Sequence, residues 1–361
     1  MSGRGYVRAA KHAALGQTLE LGATLRSLGA PPSEIAATLR AHHISGLVRS
    51  ALDKASAPLD VADLLAALDA VRPMLTATTD ELQAGFDEVR RRLEREGVPV
   101  LLLKGQYLAE RLYQVPAWRP QFDIDVLVRA RHHRKAGRHL VAGGFVRTAY
   151  DLHSVTFSRG DLKVDLHRCL RSAPAYKIDE DAMWASAPQV RVGGLDVRTL
   201  SDDYLAVLLV LGAFEDLGQG TTRLKLMVDL YLFLKQLEQS CDWDAFFRRR
   251  ESEGLADVAA AVIGLVVALF DAQADVPTLA AALDRRGHRP DAAVARTALD
   301  LVFAARKSPD NLAWFQRVYP GSFPRYLLWF WLGGFPANVR GLWTGRATET
   351  LSVLLGRHQR T

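Results

Sequence analysis

The chain has 361 residues, 49% of them hydrophobic and 24% charged, a mix that excludes a disordered or fibrous protein and leaves room for about two domains, or three. Two cysteines, Cys169 and Cys241, exclude a disulfide framework and a cysteine-ligated zinc site. The formal charge of +6 suits a polyanionic small substrate without demanding nucleic acid, and the most apolar run, 258–270, is too short to span a bilayer.

In chain order, the first ninety or so residues read as helices. One covers 34–40, with Ser33 as candidate N-cap after two prolines, and another covers 60–71 and stops near Pro73. The clearest covers 81–95: Thr78 and Glu81 have capping-box spacing, and Leu82, Phe86, Val89 and Leu93 share one face. The pattern then changes. A short apolar run at 98–103 reads as a buried strand, Lys104-Gly105 as a break, and 108–113 as a helix. A second strand covers 122–128, a basic helix 131–141, a hairpin 152–158 and 162–166 turning at Arg159-Gly160, and a smaller hairpin 190–197 turning at Gly193-Gly194. From about Asp202 the chain reads as helical again, most strongly over 204–214, 223–237 and 255–270. No N-terminal signal and no internal repeat is visible, so the chain is expected to be cytoplasmic.

The chemistry concentrates on Asp123-Ile124-Asp125. Side chains alternate along a strand, so the two carboxylates share a face roughly 6 to 7 Å apart while Ile124, Val126 and Val128 point into a core. Paired carboxylates on a rigid face suit Mg²⁺ or Mn²⁺, with phosphates supplying the other ligands. Asp165, between Val164 and Leu166, offers a third carboxylate on a later strand, enough to complete a two-metal site. Gly105 permits a tight strand-to-helix turn where phosphate can sit, and Lys104 adds a point charge. Arg119 either holds the triphosphate or pairs with Asp123. His167 is an orienter of the carboxylates or a structural histidine, His153 lies on the partner strand of the hairpin, and Asp229 is a cleft residue or a buried partner of Arg223 or Lys225. The arginine clusters 90–92, 131–138 and 248–250 read as solvated helix faces; no aromatic residues interleave with them, so nucleic acid is an unlikely partner.

Leu101-Leu102-Leu103-Lys104-Gly105, then Arg119 four residues before Asp123-Ile124-Asp125-Val126-Leu127-Val128, then Val164-Asp165-Leu166-His167, resembles the uncharacterised nucleotidyltransferase family of the DNA polymerase beta superfamily. Arg223-Leu224-Lys225, Asp229 and Asp242-Trp243 resemble its C-terminal helical segment, so the likeness spans roughly residues 81–254. The resemblance implies an α+β fold: a small mixed sheet with flanking helices, plus helical N- and C-terminal regions. We expect a helical region at 1–78, a nucleotidyltransferase core at 79–200 and a helical domain at 201–361. It further implies transfer of a nucleoside monophosphate from a nucleoside triphosphate, ATP among them, to an acceptor. Asp123, Asp125 and Asp165 would hold the metals and Lys104, Gly105 and Arg119 the triphosphate. Relatives are associated with natural-product or surface-polysaccharide pathways, which makes a small molecule, sugar or peptide the expected acceptor. The alternatives are a phosphotransferase using the same acids and a non-catalytic interaction protein.

Overall fold

The computed structural model of the chain describes residues 3–53, 62–70, 72–151, 153–171, 175–303 and 308–326. Four helices come first: α1 (Gly3–Leu15), α2 (Thr18–Ser27), α3 (Pro32–Ala41) and α4 (Ser45–Asp53), followed by α5 (Ala62–Asp69) and the long α6 (Arg72–Arg95). Helix α3 starts earlier than its sequence suggests. Pro32 occupies the first turn, where its missing N–H costs nothing, so Ser33 lies inside the helix rather than capping it. Helix α6 likewise runs through Pro73 in its first turn, which leaves Thr78 in mid-helix. The edges of the 60–71 expectation, residues 60, 61 and 71, lie outside the described residues.

Strand β1 (Leu101–Leu102), α7 (Gln106–Leu112), β2 (Ile124–Leu127), α8 (Ala130–Ala142), β3 (Val146–Tyr150), β4 (Ser154–Arg159) and β5 (Leu162–His167) follow. A five-stranded sheet in the order β1-β2-β5-β4-β3 results, mixed because β2 and β5 are parallel and the other pairs antiparallel. The parallel pairing needs a long crossover, which α8, β3 and β4 supply. The β4–β5 hairpin turns at Gly160 (φ 58°), the left-handed region that glycine enters freely. Next come α9 (Glu180–Ala185) and the two-stranded β6 (Gln189–Val192) and β7 (Leu195–Arg198). Helices α10 (Asp202–Gln219), α11 (Leu224–Leu237), α12 (Trp243–Ser252), α13 (Ala256–Leu269), α14 (Pro277–Arg285), α15 (Ala292–Phe303) and α16 (Pro309–Val318) complete the described residues. No described helix is long and apolar enough to cross a membrane.

Two cores form on opposite sides of the sheet. Leu82, Phe86, Val89 and Leu93 of α6 and Ala136 and Leu140 of α8 pack with Ile124, Val126, Val128, Val164 and Leu166. The second and larger core joins the N-terminal helices to α10–α13 and takes in Leu101, Leu103, Leu108 and Leu127. Strand alternation explains the split: 124, 126 and 128 point to α6 and α8, while 125 and 127 point to the helical body. The acids therefore lie between sheet and helices.

Candidate active site

Parallel pairing puts Asp125 of β2 directly opposite Asp165 of β5, and antiparallel pairing puts Thr156 of β4 opposite Asp165 in turn. Directly paired residues share a face, so the two carboxylates stand side by side. The Thr156 hydroxyl donates to Asp165 Oδ1 at 2.6 Å. His167, two residues along the same strand, is on that face too, with its Nε2 3.0 Å from Asp125 Oδ1. Ligand atoms of Asp125, Asp165 and His167 all lie within 4.8 Å of one another. Asp125 is buried, and its Oδ2 bonds to nothing among the described residues. A buried carboxylate oxygen with no donor is costly unless a cation occupies its lone pairs.

Asp123, one residue before β2, is half-buried. Its carboxyl is pushed up to about 6, chiefly by the negative charge of Asp125 and then by burial. Burial would also raise Asp125, but the positive charge of Lys104 and the His167 hydrogen bond outweigh it and hold that carboxyl well below the ordinary range. One acid of a close pair thus keeps its charge while its neighbour holds a proton more tightly, the electrostatics expected where a divalent cation is to be shared. Burial lowers the His167 pKa, against the hydrogen bond and charge of Asp125, which raise it.

Lys104 reaches Asp125 Oδ1 at 3.4 Å, and Gly105 follows with φ 57°. A Cβ on Gly105 would stand 3.1 Å from Gln121 Oε1. The turn is braced from behind. Buried Arg119 donates from Nη1 to the Gly105 carbonyl at 3.2 Å and grips Asp229 from Nε (3.0 Å) and Nη2 (2.7 Å). Tyr113 donates its hydroxyl to the same carboxylate at 2.6 Å, and Lys225 stands 3.7 Å away. Asp229 therefore pairs with Arg119, 110 residues earlier in the chain, and not with Arg223. Burial alone would raise Asp229, but Arg119 and Lys225 keep it ionised below the usual range.

On the other flank His153 lies against His167, with ring centroids 5.3 Å apart. Arg171 Nη1 is 3.4 Å from His153 Nδ1 and donates to Glu215 of α10 at 2.6 Å. Burial raises the carboxyls of Glu215 and its neighbour Asp216. These three residues, with the buried Gln106 and Gln121, went unmarked in the sequence. Arg171 sits four positions after His167, but no spacing ties it to Glu215, and a glutamine carries no charge to reveal it.

The structure thus gathers Lys104, Gly105, Asp123, Asp125, Asp165, His167 and His153 into one cluster, with Arg119 and Asp229 behind its turn. Residues 29–271, two thirds of the chain, match the family model described as an uncharacterised nucleotidyltransferase. No curated protein matches. Among solved structures, the solution structure of the antibiotic-resistance factor ANT(2'')-Ia is 16% identical, covers 58% of this chain and 98% of that one, and superposes with a TM-score of 0.35, too loosely to transfer residues or substrate.

Proposed function

The chain belongs to the uncharacterised nucleotidyltransferase family, and from that premise we propose that it moves a nucleoside monophosphate from a nucleoside triphosphate to a hydroxyl of a small-molecule, sugar or peptide acceptor, releasing pyrophosphate. The observation that carries this reading is the in-register Asp125–Asp165 pair with an unbonded carboxylate oxygen, set beside the Lys104-Gly105 turn. Two carboxylates beside an imidazole, with ligand atoms within 4.8 Å of one another, suit a hard divalent cation such as Mg²⁺ or Mn²⁺, which phosphate oxygens would also hold. Asp123, Asp125 and Asp165 are the residues we assign to hold it, with His167 orienting Asp125. When bound, such an ion supplies Lewis acidity at the phosphate oxygens and eases loss of the hydroxyl proton.

The chain's own residues do the rest. Lys104 neutralises phosphate charge, and Gly105 lets the backbone approach it. Arg119 and Asp229 fix the turn, so little reorganisation is needed as charge moves. Asp165, one oxygen of which is held by Thr156, accepts the acceptor's proton on the other. The acceptor oxygen forms its bond to the α-phosphorus as the bond to the bridging oxygen breaks, and pyrophosphate leaves with that electron pair.

Triphosphates labelled at the α or the γ position, incubated with Mg²⁺ or Mn²⁺ and a panel of hydroxyl acceptors, test the reading. The α-label is expected on the acceptor and the γ-label in pyrophosphate. Asp125→Asn should reduce turnover at least about a hundredfold, roughly 2.7 kcal/mol of transition-state stabilisation. A nucleoside diphosphate product with the γ-label on the acceptor would make the chain a phosphotransferase instead.

A further inference from the structure

Two carboxamides flank Gly105. Gln106 is the next residue and opens α7; Gln121 brings its Oε1 to within 3.1 Å of where a Gly105 Cβ would be. Gln106 is 4% exposed and Gln121 6%, both in the deeply buried range. A glutamine amide carries two N–H donors and two acceptor lone pairs. Yet the Nε2 and Oε1 of both residues bond to nothing among the described residues. Buried polar side chains usually have partners, and at this one turn all four polar atoms of two amides lack one among the described residues. Methionine or leucine would fill the same space without the desolvation cost.

The other side of the same turn is bonded throughout: Arg119 to Asp229 and the Gly105 carbonyl, Tyr113 to Asp229. At the Lys104-Gly105 turn both amides are wholly without partners, and deeper in the site Asp125 Oδ2 and His167 Nδ1 lack one as well. The chemistry the amides lack is an acceptor-rich ligand. A phosphate chain offers only acceptor oxygens, and neutral N–H donors can grip it without competing with a metal for Asp123 and Asp125, as a further arginine would.

We propose that Gln121 and Gln106 complete the triphosphate seat at the Lys104-Gly105 turn, their Nε2–H groups donating to non-bridging phosphate oxygens. This rests on the transferase reading above. Three variants, Gln121→Met, Gln106→Met and Gln121→Glu, are compared with the wild-type chain by calorimetry, with Mn²⁺ present, against a non-hydrolysable nucleoside triphosphate and against inorganic tripolyphosphate. The melting temperature of each free protein is recorded alongside. Each methionine variant should bind both ligands about tenfold more weakly or worse, the loss expected for a hydrogen bond to a charged group, and should melt at or above the wild-type temperature. KM should rise more than kcat falls. Gln121→Glu, which keeps the shape but sets a carboxylate against phosphate, should bind more weakly still; it provides the test if a methionine variant does not fold. Wild-type affinity in Gln121→Glu, or lower melting temperatures with affinity retained in the methionine variants, overturns the proposal. So does weaker nucleotide binding with tripolyphosphate unaffected, which would assign the amides to the nucleoside. A wild-type chain that binds no triphosphate at all overturns the transferase reading itself.

Discussion

Asp229 is fully buried in the larger core yet is ringed by Arg119, Tyr113 and Lys225. Such a cluster contributes little net stability against an apolar replacement, but removing one charge strands the other. Asp229→Asn should cost about 3–5 kcal/mol in chemical denaturation, while the double change Asp229→Leu with Arg119→Met should cost less than the single one. If the two variants lose stability equally, the pair is not what holds the turn. His43 illustrates a different residue-scale effect. It adopts φ 58° and packs edge-on against Phe122, 5.4 Å away. Burial first, then the charges of Lys225, Arg223 and His42, lowers its pKa to about 4. Because the unfolded value is near 6.5, the unfolded chain takes up this proton first. The stabilising effect of a neutral His43 is complete above pH 6.5 and is lost as pH falls toward 4. His43→Asn, which tolerates the left-handed backbone and does not titrate, should flatten the fall in stability across that window. An unchanged slope in urea melts at pH 7, 6, 5 and 4.5 would assign the acid sensitivity to other groups.

Helix α4 meets the short 3₁₀ turn Pro116–Trp118, which leads to Arg119, and Gly46 is the point of contact. A Cβ there would stand 2.2 Å from the Trp118 carbonyl oxygen, a backbone atom with no rotamer to yield. Gly→Ala inside a helix ordinarily gains about 1 kcal/mol; at position 46 the sign should reverse, with a net loss of about 1–3 kcal/mol from overpacking, read as a lower melting temperature. A rise would mean that the turn shifts freely. The elements legible in the sequence were those with a strong local signature: β2 and β5 through apolar alternation around Asp125 and Asp165, and the hairpins through Gly160 and Gly193-Gly194. Strand β3 was missed because all five of its residues are exposed and no alternation marks it. The 98–103 run contributes only Leu101–Leu102 to the sheet, since pairing with β2 covers just those two residues. For the site, the acids and the lysine-glycine turn were readable because charge and periodicity announce them. The Arg119–Asp229 pair and the Arg171–Glu215 bridge depend on contacts 110 and 44 residues apart, which no local pattern encodes.

At the scale of the whole molecule, the expected catalytic segment 79–200 contains Lys104, Gly105, Asp123, Asp125 and Asp165, but not the helices against which one of its cores packs. Leu103, Leu108, Leu127, Leu170 and Leu200 are each at most 1% exposed, and all belong to the core shared with the N-terminal helices and α10–α13. Exposing a leucine side chain costs about 1.5–3 kcal/mol, so uncovering five of them costs roughly 10 kcal/mol, comparable to the whole stability of a typical domain, about 5–15 kcal/mol. Arg119 would also lose Asp229, and Arg171 would lose Glu215, leaving two guanidinium groups without their carboxylates. A fragment spanning 72–200, which keeps α6 and both sheets, is therefore expected to melt without a cooperative transition and to bind no nucleoside triphosphate, whereas the full chain should melt cooperatively and bind one. Circular dichroism melts and calorimetry on the two proteins decide the point. Cooperative melting with intact binding in the fragment would make the helical body a separable addition; failure on both counts would show that sheet and helices fold as one unit, with the acids held in the seam between them.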